Sequence, residues 1–168
     1  MKKTGIFLLL FFTLTAFPLF AQDFSVPEGY RLEKAGDYAG YEQDIIACVE
    51  WMLRTPLNEE VAKRKEAEKF LFKWISGSPT VSVDINPSIL TFMESSPGLL
   101  IVFLGGWTKY ALETGEYNDK VGGNLAGLEA VIGFYNGNRH YMEKDKNIEK
   151  YIKLKAKGRL REQVEKYC

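Results

Sequence analysis

The run Leu99 to Glu113, LLIVFLGGWTKYALE, sets two adjacent glycines inside what otherwise reads as a buried helix. A glycine costs a helix about 1 kcal/mol relative to alanine, so the pair needs a compensating contact. Three kinds of contact come into question: a phosphate cradle, a membrane span, or a close crossing of two backbones. The apolar run from Gly98 to Trp107 is about half the ~20 residues a bilayer demands. A phosphate loop joins a strand to a helix N-terminus and ends in Gly-Lys-Ser/Thr. Gly105-Gly106 lies mid-helix, Gly122-Gly123 has no preceding strand, and neither carries that ending.

The crossing is left, and the sequence downstream supports it. The segment TGEYN, Thr114 to Asn118, is short enough to force an antiparallel helix hairpin. Folding about Glu116 sets Gly105 and Gly106 level with Ala126 and Gly127. Gly123, Gly127 and Ala130 then share one stripe of the second helix, and Val121, Leu125, Leu128 and Ile132 share the opposite one. One stripe admits a neighbouring backbone, and the other fills a core.

The flanking segments carry the same helical period. Tyr41, Ile45, Cys48, Val49 and Met52 mark a helix from Asp37 to Arg54, which Pro56 ends. Asn58 is expected to cap the next helix, with Glu59 and Glu60 in its first turn. Val61, Ala67, Phe70, Leu71, Trp74 and Ile75 form its inner face, the KRKEAEK face reads as solvated, and Gly77 marks its stop. TVSVDIN alternates at period two, but a lone strand has no sheet to join, so an extended connector paired with Phe24 to Val26 is expected. Asn86-Pro87 and Ser96-Pro97 predict helix starts, the first helix running to Glu94 and the second to Thr114. Asn118 opens a helix to Tyr135, and two final helices, 145–157 and 160–167, flank Gly158. The expected fold is all-α: a single-domain bundle of about six to seven helices around a Gly-rich antiparallel hairpin.

Residues 1–21, MKKTGIFLLLFFTLTAFPLFA, have the charged, apolar, small-residue order of a secretory leader, with cleavage expected near Ala21. Residues 22–168 then form one helical domain, exported to a periplasmic or extracellular space, with no transmembrane segment of their own. No cysteine follows the leader directly, which excludes the usual lipid anchor of bacterial lipoproteins. Export argues against a nucleic-acid partner and permits a disulfide between Cys48 and Cys168, the only two cysteines. Such a bridge would close a loop of about 120 residues and stabilise by about 4–5 kcal/mol in the chain-entropy model. Cys48 also suits a buried free thiol, because it falls on the apolar side of its helix.

Charge is uneven. Residues 22–138 hold 10 basic and 17 acidic residues, whereas residues 139–168 hold 10 basic and 5 acidic. The basic tail is expected either to dock on the acidic body or to meet an anionic partner. Lys146, Lys150, Lys153 and Lys157 lie on one side of its helix, and Ile148, Tyr151 and Ile152 on the other.

Several chemistries find no residues to carry them. His140 is the only histidine and the cysteines lie far apart, so no zinc set assembles locally. Asn118 to Glu129 has a superficial likeness to a calcium loop, but Lys120 and Gly122 offer no side-chain oxygen at its third and fifth positions. No nucleophile-elbow motif occurs. No metal, cofactor or catalytic residue is therefore assigned. Carboxylates around the hairpin, Glu113, Glu116, Asp119 and Glu129, leave a general acid open, with Glu129 deep in an apolar helix. Trp107, Lys109 and Tyr110, with Glu129, are the candidate ligand-binding residues, an aromatic pair with a cation beside it.

The FAQ leader ending, the GGWTKYALE segment and the small helical body resemble exported proteins of unknown function from Bacteroidota-type bacteria, a resemblance that implies no activity. AVIGF, Ala130 to Phe134, matches one fragment of a tetratricopeptide unit without a second copy. The expectation is an exported, non-catalytic binding protein with a protein or glycan partner in the envelope. A glycan- or peptidoglycan-directed hydrolase using Glu129 or Glu113 is the first alternative, and a structural partner in an envelope assembly the second.

Overall fold

Residues 24–168 are described by the computed structural model, and the leader read at residues 1–21 lies outside them. Within them the chain forms α1 (Ala35–Ala39), α2 (Glu42–Arg54), α3 (Val61–Gly77), α4 (Leu100–Thr114), α5 (Lys120–Gly137), α6 (Lys146–Ala156) and α7 (Leu160–Glu165). Two 3₁₀ segments, Thr91–Glu94 and Pro97–Leu99, lead into α4, and no strand forms among the described residues. The fold is all-α, a helical bundle built around the α4–α5 hairpin.

That hairpin is the most extensive helix pair in the molecule. Gly115 turns it with φ 74°, a left-handed backbone that glycine adopts without a Cβ clash. Gly106 lies on the crossing itself: a Cβ there would stand 2.6 Å from Ala130 Cβ, 2.8 Å from the Ala126 carbonyl oxygen and 3.1 Å from Gly127 Cα. Phe103 lies over Gly127 and Trp107 over Gly123. The small stripe of α5 thus receives both the α4 backbone and two α4 aromatic rings. Gly105 departs from the sequence expectation. It faces the other way, against Val49 of α2 and Leu71 of α3, so the two glycines serve two different interfaces.

Around the hairpin, α2 and α3 cover one side of α4, while α6 and α7 cover α5. Ile45, Val49, Phe70, Leu71 and Trp74 are fully or almost fully buried on the first side, as are Ile148 and Val164 on the second. The basic C-terminal segment therefore docks on the body, and it does so through its apolar face. Its ion pairs are mostly internal, Arg159 with Glu162 and Arg161 with Glu165, and Lys155 reaches the body at Glu129.

The start of α3 differs from the sequence reading. Asn58 does not cap it; the helix begins at Val61, after Glu60 in a left-handed conformation at φ 43°. A tertiary tie takes precedence, since the Leu57 N–H donates to the Asn138 side-chain oxygen at 2.8 Å and holds the linker in a turn. Val61 itself is exposed, and Arg64, placed by the sequence on a solvated face, is buried. Its guanidinium donates to the carbonyls of Met52 and Thr55 at the C-terminal end of α2 and lies over the rings of Trp51 and Phe134. A cation placed there complements the helix dipole. The 81–86 segment is an extended connector without strand pairing, and the Asn86-Pro87 start yields a turn and then the Thr91–Glu94 3₁₀ segment instead of a helix.

Candidate functional site

Of the four residues singled out as ligand contacts, Trp107 and Tyr110 pack on the neighbouring glycines Gly123 and Gly122 of α5, while Lys109 and Glu129 each form ion pairs. Trp107 is only 2% exposed and is committed to packing over Gly123. Lys109 pairs with Glu113 at 2.6 Å and with Glu50 at 3.3 Å, an ion-pair set on the α2–α4 surface. Burial pulls the Lys109 ammonium down, and its two carboxylate partners outweigh this, leaving its pKa raised. Tyr110 donates its hydroxyl proton to Asp119 at 2.7 Å; that bond raises the phenol's pKa, while the Gly122 N–H and Tyr110 together lower that of Asp119. Asp119, one residue after the expected Asn118 cap, closes the N-terminus of α5 by accepting from the Gly122 N–H.

Glu129 is exposed and paired with Lys155 at 2.9 Å, so its position deep in an apolar helix does not bury its carboxyl. With Glu113 held by Lys109 and Asp119 by Tyr110, three of the four hairpin carboxylates are tied to separate partners, and the fourth, Glu116, is exposed. His140 is exposed. Among the described residues, no group of three or more His, Cys, Asp or Glu is placed to hold a metal ion, and no helix is long and apolar enough to cross a membrane.

The cysteines likewise stay apart. Cys48 is buried between α2 and α3 with its thiol against the Ala67 carbonyl, and Cys168 is exposed near the Asn124 amide; both thiols are free, the second of the two arrangements the sequence left open. Burial pushes the Cys48 thiol up to about 12, where the reactive thiolate is negligible near neutral pH. Iodoacetamide at about pH 8 should accordingly add one label to the native chain, at Cys168, and two in denaturant. Intact mass reads the difference, and a native chain that takes no label until reduced would restore the bridge.

Hollows on the described surface include three of a few hundred Å³ each. One, of about 310 Å³, includes Trp107, but its charged residues Asp84 and Lys120 neutralise each other at 3.1 Å. A second, of about 450 Å³, is bordered by Leu90, Met93 and Ile85, and the Asn147 amide at its edge already donates to the Thr91 carbonyl. The third combines a deep apolar floor with a polar rim. Its volume is about 410 Å³, and Leu99, Val102 and Phe134 are its most buried lining residues, with Leu57 and Met142 half-buried beside them. Its polar lining comes from Glu68 on α3, Ser95 and Ser96 before α4, and Tyr141 and Glu143 in the α5–α6 linker.

The serines are held from behind. Asp145, only 2% exposed, accepts hydroxyl protons from Ser95 at 2.7 Å and Ser96 at 2.8 Å through one carboxylate oxygen. Its other oxygen caps α6, accepting from the N–H groups of Asn147 and Ile148 at 2.8 and 3.2 Å. Burial alone would raise the pKa of this carboxyl; the four donated hydrogen bonds outweigh burial and leave it lowered. Glu68 has the opposite balance, its carboxyl raised by burial against the attraction of Arg64 and Lys65.

Sequence reasoning missed this cleft. Ser96 read only as a helix-start residue, Ser95 drew no reading, and Glu68 read as part of a mixed-charge run. The one local signal was Asp145, in an α6 capping position, because a carboxylate there has an oxygen to spare for another element. No protein-family model, no curated protein and no solved structure matches the chain.

Proposed function

We propose that the protein is an exported helical binding protein that takes a small amphipathic ligand in the cleft between Glu68, Ser96 and Glu143. The supporting observation is the build of the cleft, an apolar floor with oriented polar groups at its rim and a volume within the range of small-molecule sites. The residues come from five chain segments, and Asp145 fixes the serines before any ligand arrives, which lowers the ordering cost of binding. A thermal-shift screen of the purified protein against amines, alcohols, carboxylates, peptides and glycan fragments tests this reading. A ligand at 100 times its dissociation constant should add about 2.7 kcal/mol to stability. Amide resonance shifts at Leu57, Ser96, Gly98 and Tyr141 should accompany it. Silence across the panel, or shifts confined to another surface, would move the weight to a structural partner in an envelope assembly.

Hydrolysis is the second reading, favoured by the burial of the Glu68 carboxyl, since a raised carboxyl suits a general acid. It would use Glu68 and Glu143 in place of Glu129 and Glu113, which are engaged by lysines. Release of reducing ends from glycan or peptidoglycan fragments, lost in Glu68→Gln, would establish it over simple binding.

A further inference from the structure

Every polar side chain that lines this cleft, Tyr141 aside, presents an acceptor. Glu68 and Glu143 are carboxyl groups, and no lysine, arginine or histidine lines the cleft. Ser95 and Ser96 would ordinarily be ambivalent, because a hydroxyl both donates and accepts. Here each hydroxyl has one proton and gives it to Asp145, so only oxygen lone pairs are left for the cleft. Asp145 cannot return the favour to a ligand: it is buried behind the serines, and four donors already converge on it.

The helix start beside the cleft does not reverse this polarity. Pro97 has no N–H, the Leu99 N–H donates to the Ser96 carbonyl at 3.0 Å, and that of Leu100 donates to the Pro97 carbonyl, so the Gly98 N–H is the single backbone donor of this helix start left for the cleft, against two carboxyl groups and two hydroxyl oxygens. The nearest buried cation, Arg64, gives its terminal nitrogens to the Met52 and Thr55 carbonyls. The exposed Tyr141 ring adds aromatic surface at the rim, which favours a cation over an anion.

We infer that the cleft selects an amphipathic cation, an ammonium or related N–H donor joined to an apolar body, with Glu68 and Glu143 as counter-charges and the Ser95 and Ser96 oxygens as acceptors. The inference rests on the cleft being the binding site and adds the charge and donor character of its ligand. The apolar body lies on Leu99, Val102 and Phe134, and the head lies at the carboxylates. Attraction between exposed charges weakens with salt, so affinity for the cation falls as ionic strength rises and affinity for a neutral analogue does not.

Three probes of one shape test this: phenethylamine, 2-phenylethanol and 3-phenylpropanoate, titrated into the ¹⁵N-labelled protein at neutral pH and low salt. Phenethylamine should shift the amides of Ser96, Gly98 and Tyr141 to Glu143 and bind about tenfold tighter than the alcohol, with the carboxylate weakest. Glu68→Gln and Glu143→Gln should each reduce this preference, and the double variant should abolish it while still binding the alcohol in the same place. That retained alcohol binding shows that the double variant is folded. Equal affinity for amine and alcohol, or preference for the carboxylate, would overturn the cation inference and leave the cleft as a binding site. Binding of none of the three, or shifts elsewhere, would overturn both.

Discussion

Gly106→Ala should destabilise the protein by about 2–3 kcal/mol, whereas Gly133→Ala, one crossing face away, should stabilise it by about 0.5–1 kcal/mol. Both glycines are helical, so alanine's better propensity favours both substitutions equally. The difference is what the new methyl meets. At Gly106 it meets the Ala126 carbonyl and the Gly127 Cα as well as the Ala130 methyl, all within 3.1 Å, and two of these three are backbone that cannot swing aside. At Gly133 nothing lies within 4 Å and the position is exposed. Melting temperatures should therefore move in opposite directions, by about 2–4 °C per kcal/mol for a chain near this size. A Gly106→Ala variant as stable as wild type would mean that α4 and α5 do not cross backbone to backbone.

The hairpin was legible because its determinants are local. A five-residue turn and small residues at matched distances from Glu116 specify which positions meet, and Gly106 meets Ala126, Gly127 and Ala130 accordingly. Gly105 was misassigned because two adjacent helical residues point about 100° apart, so only one of the pair can enter the crossing. The start of α3 was illegible for a different reason. Asn58 has the right chemistry for a cap, but the Asn138 amide, 81 residues later, claims the Leu57 N–H and sets the turn first. Arg64 is similar: nothing in a mixed-charge run announces that α2 ends with carbonyls in need of donors.

The candidate site was least legible of all, since its polarity depends on a hydroxyl orientation set from 49 and 50 residues away. The residues that looked chemical, Trp107, Lys109, Tyr110 and Glu129, each had a nearer structural partner. An aromatic beside a glycine stripe finds the glycine, and a lysine one helical turn from a glutamate finds the glutamate. The proposed cleft lies instead where elements from five segments leave a gap that no side chain of the bundle fills.

Asp145→Ala is the second large effect, an expected loss of about 3 kcal/mol at neutral pH. An N-cap contributes about 0.5–2 kcal/mol, and hydrogen bonds to a charged group about 1.5–3 kcal/mol. These overlap on one carboxylate and do not simply add. Alanine leaves the Ser95 and Ser96 hydroxyls and the Asn147 and Ile148 N–H groups without their acceptor. Asn should fall between wild type and Ala, since its oxygen can still cap α6 while its neutral amide faces the hydroxyls. The pH dependence separates the charge from the cap. The folded-state pKa lies below the ordinary 3.8, so the charged contribution is complete above that value and is lost as pH falls through the lower one. Urea unfolding should give the same wild-type-to-Asn gap from neutral pH down to about pH 5, and a gap that narrows as pH falls below the ordinary 3.8 and through the lowered folded-state value. A gap that persists unchanged in acid would mean that Asp145 is not held as a carboxylate, and the serine protons would then be free to face the cleft. The same substitution reaches function, because hydroxyls released from Asp145 can donate as well as accept. Asp145→Ala should thus narrow the preference of the cleft for phenethylamine over 2-phenylethanol, even though Asp145 touches neither.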